Sequence, residues 1–119
     1  MDQMIEGFRR FRDNFFANNR ALFDNLSQGQ TPKVLLIGCS DSRVDPAIIF
    51  DAQPGEMFVL RNVANLIPPF APDSSHHGTS AAVEFAVRGL KVEHIIVLGH
   101  ARCGGVRALI EGSSNDNTD

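Results

Sequence analysis

Both cysteines of this chain stand in segments that could do chemistry. Gly38-Cys39-Ser40-Asp41-Ser42-Arg43 follows the apolar run Val34-Leu35-Leu36-Ile37, and His100-Ala101-Arg102-Cys103-Gly104-Gly105 follows Ile95-Ile96-Val97-Leu98. Two thiolates, an imidazole and a carboxylate are a donor set that suits tetrahedral zinc. His100 and Cys103 form a His-x-x-Cys pair, a weak signal alone. Joined to Cys-x-Asp-x-Arg behind a second apolar run, it is a strong one. The competing reading is that Cys39 and Cys103 are inert, buried small hydrophobes. Against it stand Gly38, Gly104 and Gly105, since glycines let backbone approach a site and leave room for a ligand.

Cys39, Asp41, His100 and Cys103 together would make a closed structural site, whereas a catalytic zinc keeps one position open. Asp41 is the displaceable member. Arg43, two residues on, can hold it through two parallel charge-assisted hydrogen bonds. Water then takes the fourth position, and Asp41 accepts a hydrogen bond from it. A purely structural Asp41–Arg43 ion pair is the alternative, though a pair beside a metal must affect that metal.

These residues need strand ends on one edge. Lys33 to Ile37, Met57 to Leu60 and His94 to Leu98 read as strands, and the first lacks polar alternation, as expected for a strand covered on both faces. Asp45-Pro46 reads as a helix cap followed by proline at the first helical position. Helices are expected over Gly78 to Arg88, with Gly89 as the stop, and from Gly104 to Ile110. Strands alternating with helices predict an α/β fold: a parallel sheet flanked by helices, whose carboxyl edge binds ligands. Residues near 3–26 read as a helix striped by Ile5, Phe8, Phe15, Leu22 and Leu26 and widened by Phe11, Phe16 and Phe23. That stripe packs either on the chain's own sheet or, as an arm, on a second subunit. The expected organisation is a helical arm over 1–28 and a zinc-binding α/β domain over 29–119, one domain overall. His76 and His77 lie in a proline- and serine-marked loop, as solvated surface or as a proton relay.

The 119 residues, 43% hydrophobic, fit one small domain. A net charge of −3 offers no basic face for nucleic acid. No apolar run is long enough to span a bilayer, and Met1-Asp2-Gln3-Met4-Ile5-Glu6 has no secretory character. Two cysteines in different settings are no disulfide framework, so a reducing, cytoplasmic compartment is expected.

Cys39-Ser40-Asp41-Ser42-Arg43-Val44, Arg61-Asn62-Val63-Ala64-Asn65, Glu84-Phe85-Ala86-Val87 and Gly99 to Gly105 resemble the motifs of the β-class carbonic anhydrases. The resemblance runs from the first helix to about residue 111 and is closer to the plant-type branch. It implies zinc on Cys39, His100 and Cys103, and Asp41 with Arg43 as a catalytic dyad. It also implies reversible hydration of carbon dioxide to bicarbonate, by a zinc-held hydroxide that the dyad orients. Gln30, Phe58, Val63, Phe85 and Gly104 are the substrate contacts it implies, Gln30 reaching substrate from a neighbouring subunit. Phe85 stands where plant-type members often carry tyrosine. Leu36 stands where some members carry a tryptophan linked to an inhibitory bicarbonate site, which argues against that regulation. A homodimer or larger homo-oligomer is implied too. Members of the family continue well past the second motif, so the resemblance implies a partial chain lacking the C-terminal part of the fold. Beside the enzyme stand two other readings: a zinc protein without activity, with Asp41 as a permanent ligand, and an enzyme acting on another small linear molecule such as carbon disulfide.

Overall fold

The computed structural model describes residues 1–69 and 78–115, with side chains described as far as residue 112 in the last helix. His76 and His77 lie outside the described residues. The backbone falls into two compact units, Met1–Gln30 and Thr31–Asp119.

The first unit is helical but not one helix. Helix α1 (Asp2–Arg10) runs into a wider π-type turn over Phe11–Phe16, and α2 (Arg20–Gln28) starts afresh. The interruption sits at Asn19, which leaves helical geometry at φ −129° and whose side chain donates to the Phe15 carbonyl at 2.7 Å. The unbroken helix expected from the periodicity is corrected accordingly: side-chain period alone does not report a polar residue that competes for backbone groups. The break turns Phe23 back onto Phe11, Phe15 and Phe16, with ring centroids 4.9 to 6.0 Å apart. None of the helical residues in this unit is buried.

The second unit is a parallel three-stranded sheet in the order β2-β1-β3, with β1 (Val34–Cys39) between β2 (Met57–Asn62) and β3 (His94–Leu98). Central β1 is buried along nearly its whole length, as its unbroken apolar run requires, whereas β3 as an edge strand leaves Ile95 and Val97 about half exposed, at 52% and 54%. Leu35 and Ile37 point to one face and pack with Phe58 and Leu60 of β2, Val83 and Ala86 of the helical segment before β3, and Val92. That segment begins as α4 (Gly78–Glu84) and continues as a π-type turn through Leu90. It ends at Lys91, in the left-handed region at φ 57°, so Gly89 is not the stop; the Lys91 N–H instead reaches back to the Ala86 carbonyl. The short α3 (Pro46–Ile49) begins as expected, Asp45 accepting from the Ala47 amide at 3.0 Å with Pro46 next. Helix α5 (Gly104–Asn115) runs further than the apolar pattern indicated.

In this strand order the chain leaves β1 toward one side and returns, after β2, on the other. The carboxyl ends of β1 and β3 therefore flank the point where the winding reverses, which is where open α/β sheets bind ligands.

Candidate metal centre

Cys39 is the last residue of β1, and Cys103 stands just before α5 in the turn after β3. The register that sets Gly38 beside Leu98 brings the two loops face to face. Cys39 Sγ lies 3.7 Å from Cys103 Sγ, and both cysteines are free and buried. A disulfide would hold the sulfurs at about 2.05 Å. Two sulfurs at about 2.3 Å from one tetrahedral zinc stand roughly 3.8 Å apart. The spacing therefore suits a shared metal and excludes a covalent bond.

His100 completes the group: its ring nitrogen and the two sulfurs all lie within 4.8 Å of one another. Its Nδ1 pairs with the Ala101 carbonyl at 2.9 Å, which as a donor leaves Nε2 with the free lone pair. Nε2 is buried with no hydrogen-bond partner. An orphaned buried nitrogen beside two thiols is costly unless something binds it, and a metal ion meets that need. The residues present thus fit zinc.

The neighbours of Cys39 favour its anionic form. The Asp41 backbone amide contributes most, the His100 ring next and the Ala64 amide after that, and together they bring the thiol down to about 6. The Ala64 N–H donates to Cys39 Sγ at 3.4 Å. It is aimed there by an unusual turn, in which Ala64 and Asn65 adopt left-handed φ values of 74° and 45°. Asn62 closes that turn from both sides, its Nδ2 donating to the Leu66 carbonyl and its Oδ1 accepting from the Leu66 amide, each at 2.7 Å. Helix α5 presses on the same turn. A Cβ on Gly105 would run into the Val63 side chain and stand 3.0 Å from the Ala64 nitrogen, so any larger residue must push the turn back.

Asp41 is not part of the convergent group. Its Oδ1 accepts from the Arg43 amide at 2.8 Å and from Arg43 Nε at 3.0 Å, and its Oδ2 accepts from Arg43 Nη2 at 2.7 Å. The Arg43 side chain first, and its amide second, hold the Asp41 carboxyl far below the usual carboxylate range. Arg43 Nη2 also reaches the Arg102 carbonyl at 3.4 Å, tying the β1 loop to the β3 loop.

The remaining residues expected at the site are spread out. Val63, 65% exposed, and Gly104 flank the ligand loops on the carboxyl edge. Phe58 and Phe85 pack on each other with ring centroids 5.6 Å apart. Phe58 is in register with Leu35, four residues before Cys39, or about 13 Å back along the strand. Gln30 is exposed at the end of the first unit. Sequence reasoning gave no individual role to Arg61 or to the Ala64 amide. The Gly104-Gly105 pair was the signal for a close approach to the second; nothing in the sequence marks which backbone groups Arg61 meets.

Residues 34–119 match the family model described as carbonic anhydrase. A carbonic anhydrase of Synechococcus elongatus is 44% identical over 111 residues, which are 93% of this chain and 40% of that protein. The solved β-carbonic anhydrase CcaA superposes with a TM-score of 0.88 at 44% identity, over 96% of this chain and 50% of its own. A tetrameric β-carbonic anhydrase of Sordaria macrospora gives 0.80 at 35% identity, over 98% and 55%. The chain thus spans about 40% of the length of the curated relative it matches.

Proposed function

Because the chain belongs to the β-carbonic anhydrase family, we propose that it contributes a zinc-dependent site for the reversible hydration of carbon dioxide to bicarbonate and a proton. The observation that carries this reading is the convergence of Cys39, His100 and Cys103 while Asp41 is turned away onto Arg43. That leaves three protein donors and one open position, the arrangement of a catalytic rather than a structural zinc. A zinc ion held by Cys39, His100 and Cys103 would supply Lewis acidity, lowering the pKa of a water in the open position.

The chain's own residues do the rest. Arg43 occupies three of the roughly four acceptor directions of the Asp41 carboxylate, two on Oδ1 and one on Oδ2. The remaining Oδ2 direction is free to accept a hydrogen bond from the attacking water and aim it. Since Asp41 stays ionised throughout the neutral range, it acts as an acceptor only. His100 is fixed as an Nε2 ligand by its Nδ1 contact, and the Ala64 amide steadies the charge on Cys39. The uncharged Val63 and Gly104 are taken as contacts for a small neutral substrate. The same reading takes Gln30 as a substrate contact from a neighbouring subunit, and Phe58 and Phe85, which pack on each other, as lining of a small apolar pocket.

A homo-oligomer is part of the proposal. The half-exposed Ile95 and Val97 of β3 and the exposed apolar residues Met4 and Phe8 of α1 support it, as does the tetrameric relative. No helix among the described residues is long and apolar enough to cross a membrane. Free thiols that must stay reduced support a cytoplasmic setting.

Metal analysis joined to stopped-flow hydration at neutral and alkaline pH tests the reading, with carbon disulfide as a competing substrate. One zinc per chain and a rate that rises with pH are expected. A zinc-loaded chain inert at alkaline pH would falsify it and leave the non-enzymatic zinc protein.

A further inference from the structure

Arg61 meets neither the metal donors nor the dyad through its charge. It lies near the end of β2, on the side of β1 away from β3, and is only partly exposed. Its guanidinium is spent on backbone: Nε donates to the Cys39 carbonyl at 2.9 Å, and Nη2 donates to the Asp41 carbonyl at 2.8 Å and the Val44 carbonyl at 3.3 Å. Those three carbonyls bracket the turn that carries Cys39, Asp41 and Arg43.

The turn is also held by Ser40 N–H to the Asn62 carbonyl at 2.7 Å, Val44 N–H to the Asp41 carbonyl at 3.2 Å and Arg43 Nη2 to the Arg102 carbonyl at 3.4 Å. The Asp41–Arg43 pair is local, two residues apart, and travels with the turn as one piece. A group anchored outside the turn best sets that piece relative to the strand, and Arg61 makes three such bonds, against the one long contact of Arg43 with the Arg102 carbonyl. A rigid fork of donors from β2 does this, and the single ammonium of a lysine cannot span all three carbonyls.

We infer that Arg61 is a positioning residue: it sets the Asp41 carboxylate relative to the Cys39 sulfur, so that Asp41 remains on Arg43 and the fourth metal position stays open. This rests on the zinc reading of the site. It assigns the openness of that position to a third strand, which contributes no ligand.

The test uses the full chain loaded with Co(II), whose visible bands report coordination independently of turnover. Arg61→Lys and Arg61→Met are compared with wild type and with Arg43→Ala, in which Asp41 is released. Both Arg61 variants are expected to bind one cobalt and to shift the visible bands toward those of Arg43→Ala. Hydration by the zinc forms should fall about tenfold or more, with Arg61→Met the worse and the loss in kcat rather than KM. If the Met variant fails to fold, the Lys variant decides. A wild-type cobalt spectrum in Arg61→Lys overturns the inference. An Arg61→Lys chain that unfolds or sheds its metal overturns it too, since that marks a structural role. A wild-type chain that hydrates nothing, yet whose cobalt spectrum responds to Arg61→Lys, upholds the positioning role and refutes the activity.

Discussion

Gly105→Ala puts a methyl group where three loops meet. The new Cβ would overlap the Val63 side chain and lie 3.0 Å from the Ala64 nitrogen and 3.1 Å from the Ala64 Cβ. Val63 is 65% exposed and can rotate away, so that clash is cheap. The Ala64 contacts cannot be relieved by a rotamer. The backbone of the 63–65 turn must retreat by several tenths of an ångström, and it is pinned by the two Asn62–Leu66 bonds. Overpacking of this kind costs about 1–3 kcal/mol. At about 4–8 °C per kcal/mol for a small domain, melting should fall by roughly 4–24 °C. The retreat also carries the Ala64 amide away from Cys39 Sγ, already a long contact at 3.4 Å. Thermal unfolding followed by circular dichroism gives the first number, and the sulfur-to-cobalt charge-transfer band of the Co(II) form reports the second. Gly104→Ala is the control, because a Cβ there meets nothing within 4 Å. A Gly105→Ala chain that melts with wild type and keeps its charge-transfer band would refute the close-approach argument; so would equal losses at both glycines.

Single replacement of Cys39 or Cys103 by serine, or His100→Ala, should abolish stoichiometric zinc uptake, checked by metal analysis after gel filtration. Arg43→Ala should keep the zinc yet lose hydration about tenfold or more, because a freed Asp41 can take the open position; normal turnover in that variant would remove the dyad from the mechanism. Zinc retention should fall as pH drops. Cys39 titrates at about 6 and His100 above its ordinary value, owing first to the Cys39 contact, so below pH 6 protons compete for both donors. A chelator titration at pH 5 and pH 8 that shows equal retention would contradict this. Asp41 has a depressed folded value, so its contribution to stability is complete above the ordinary carboxylate range and is lost only as pH falls through the folded value. Asp41→Asn should therefore flatten the acid limb of a stability–pH curve and leave the alkaline limb unchanged. Gly112→Ala in α5, where a Cβ meets nothing within 4 Å, should stabilise by up to about 1 kcal/mol, measured by urea unfolding.

The parts of the fold legible in the sequence were those fixed by short-range pattern. The unbroken Val34–Ile37 run marked a strand buried on both faces, and β1 is that strand. The two Cys-containing segments sat behind apolar runs, and a parallel sheet puts such ends on one edge, which is enough to predict that Cys39, His100 and Cys103 meet. The illegible parts depend on which backbone groups face one another. Arg61 lies in a motif, but its three carbonyl partners come from the turn after a different strand. Ala64 gives no hint of a left-handed φ, which tertiary packing by Gly105 and the Asn62 clamp impose. Asn19 looks like one more helical residue until its side chain takes the Phe15 carbonyl. Lys91, not Gly89, ends the helical segment before β3, because the π-type turn adds residues that a 3.6-residue period does not count.

The division of labour among the three strands follows from their order. β1 and β3 lie side by side, so their loops can bring Cys39, His100 and Cys103 together. The β1 turn does not rest on its own short bonds alone, since three of its carbonyls accept from Arg61. β2 lies on the far side of β1 and reaches over it with groups of two kinds. Arg61 donates to carbonyls of the β1 turn, and the Ala64 amide donates to the Cys39 sulfur itself. One sets where the carboxylate stands; the other joins the Asp41 amide and the His100 ring in keeping charge on the sulfur. The second also depends on α5, because Gly105 lets the Val63–Asn65 turn close. A change in β2 or α5 should therefore alter the chemistry at the carboxyl edge while leaving every ligand in place.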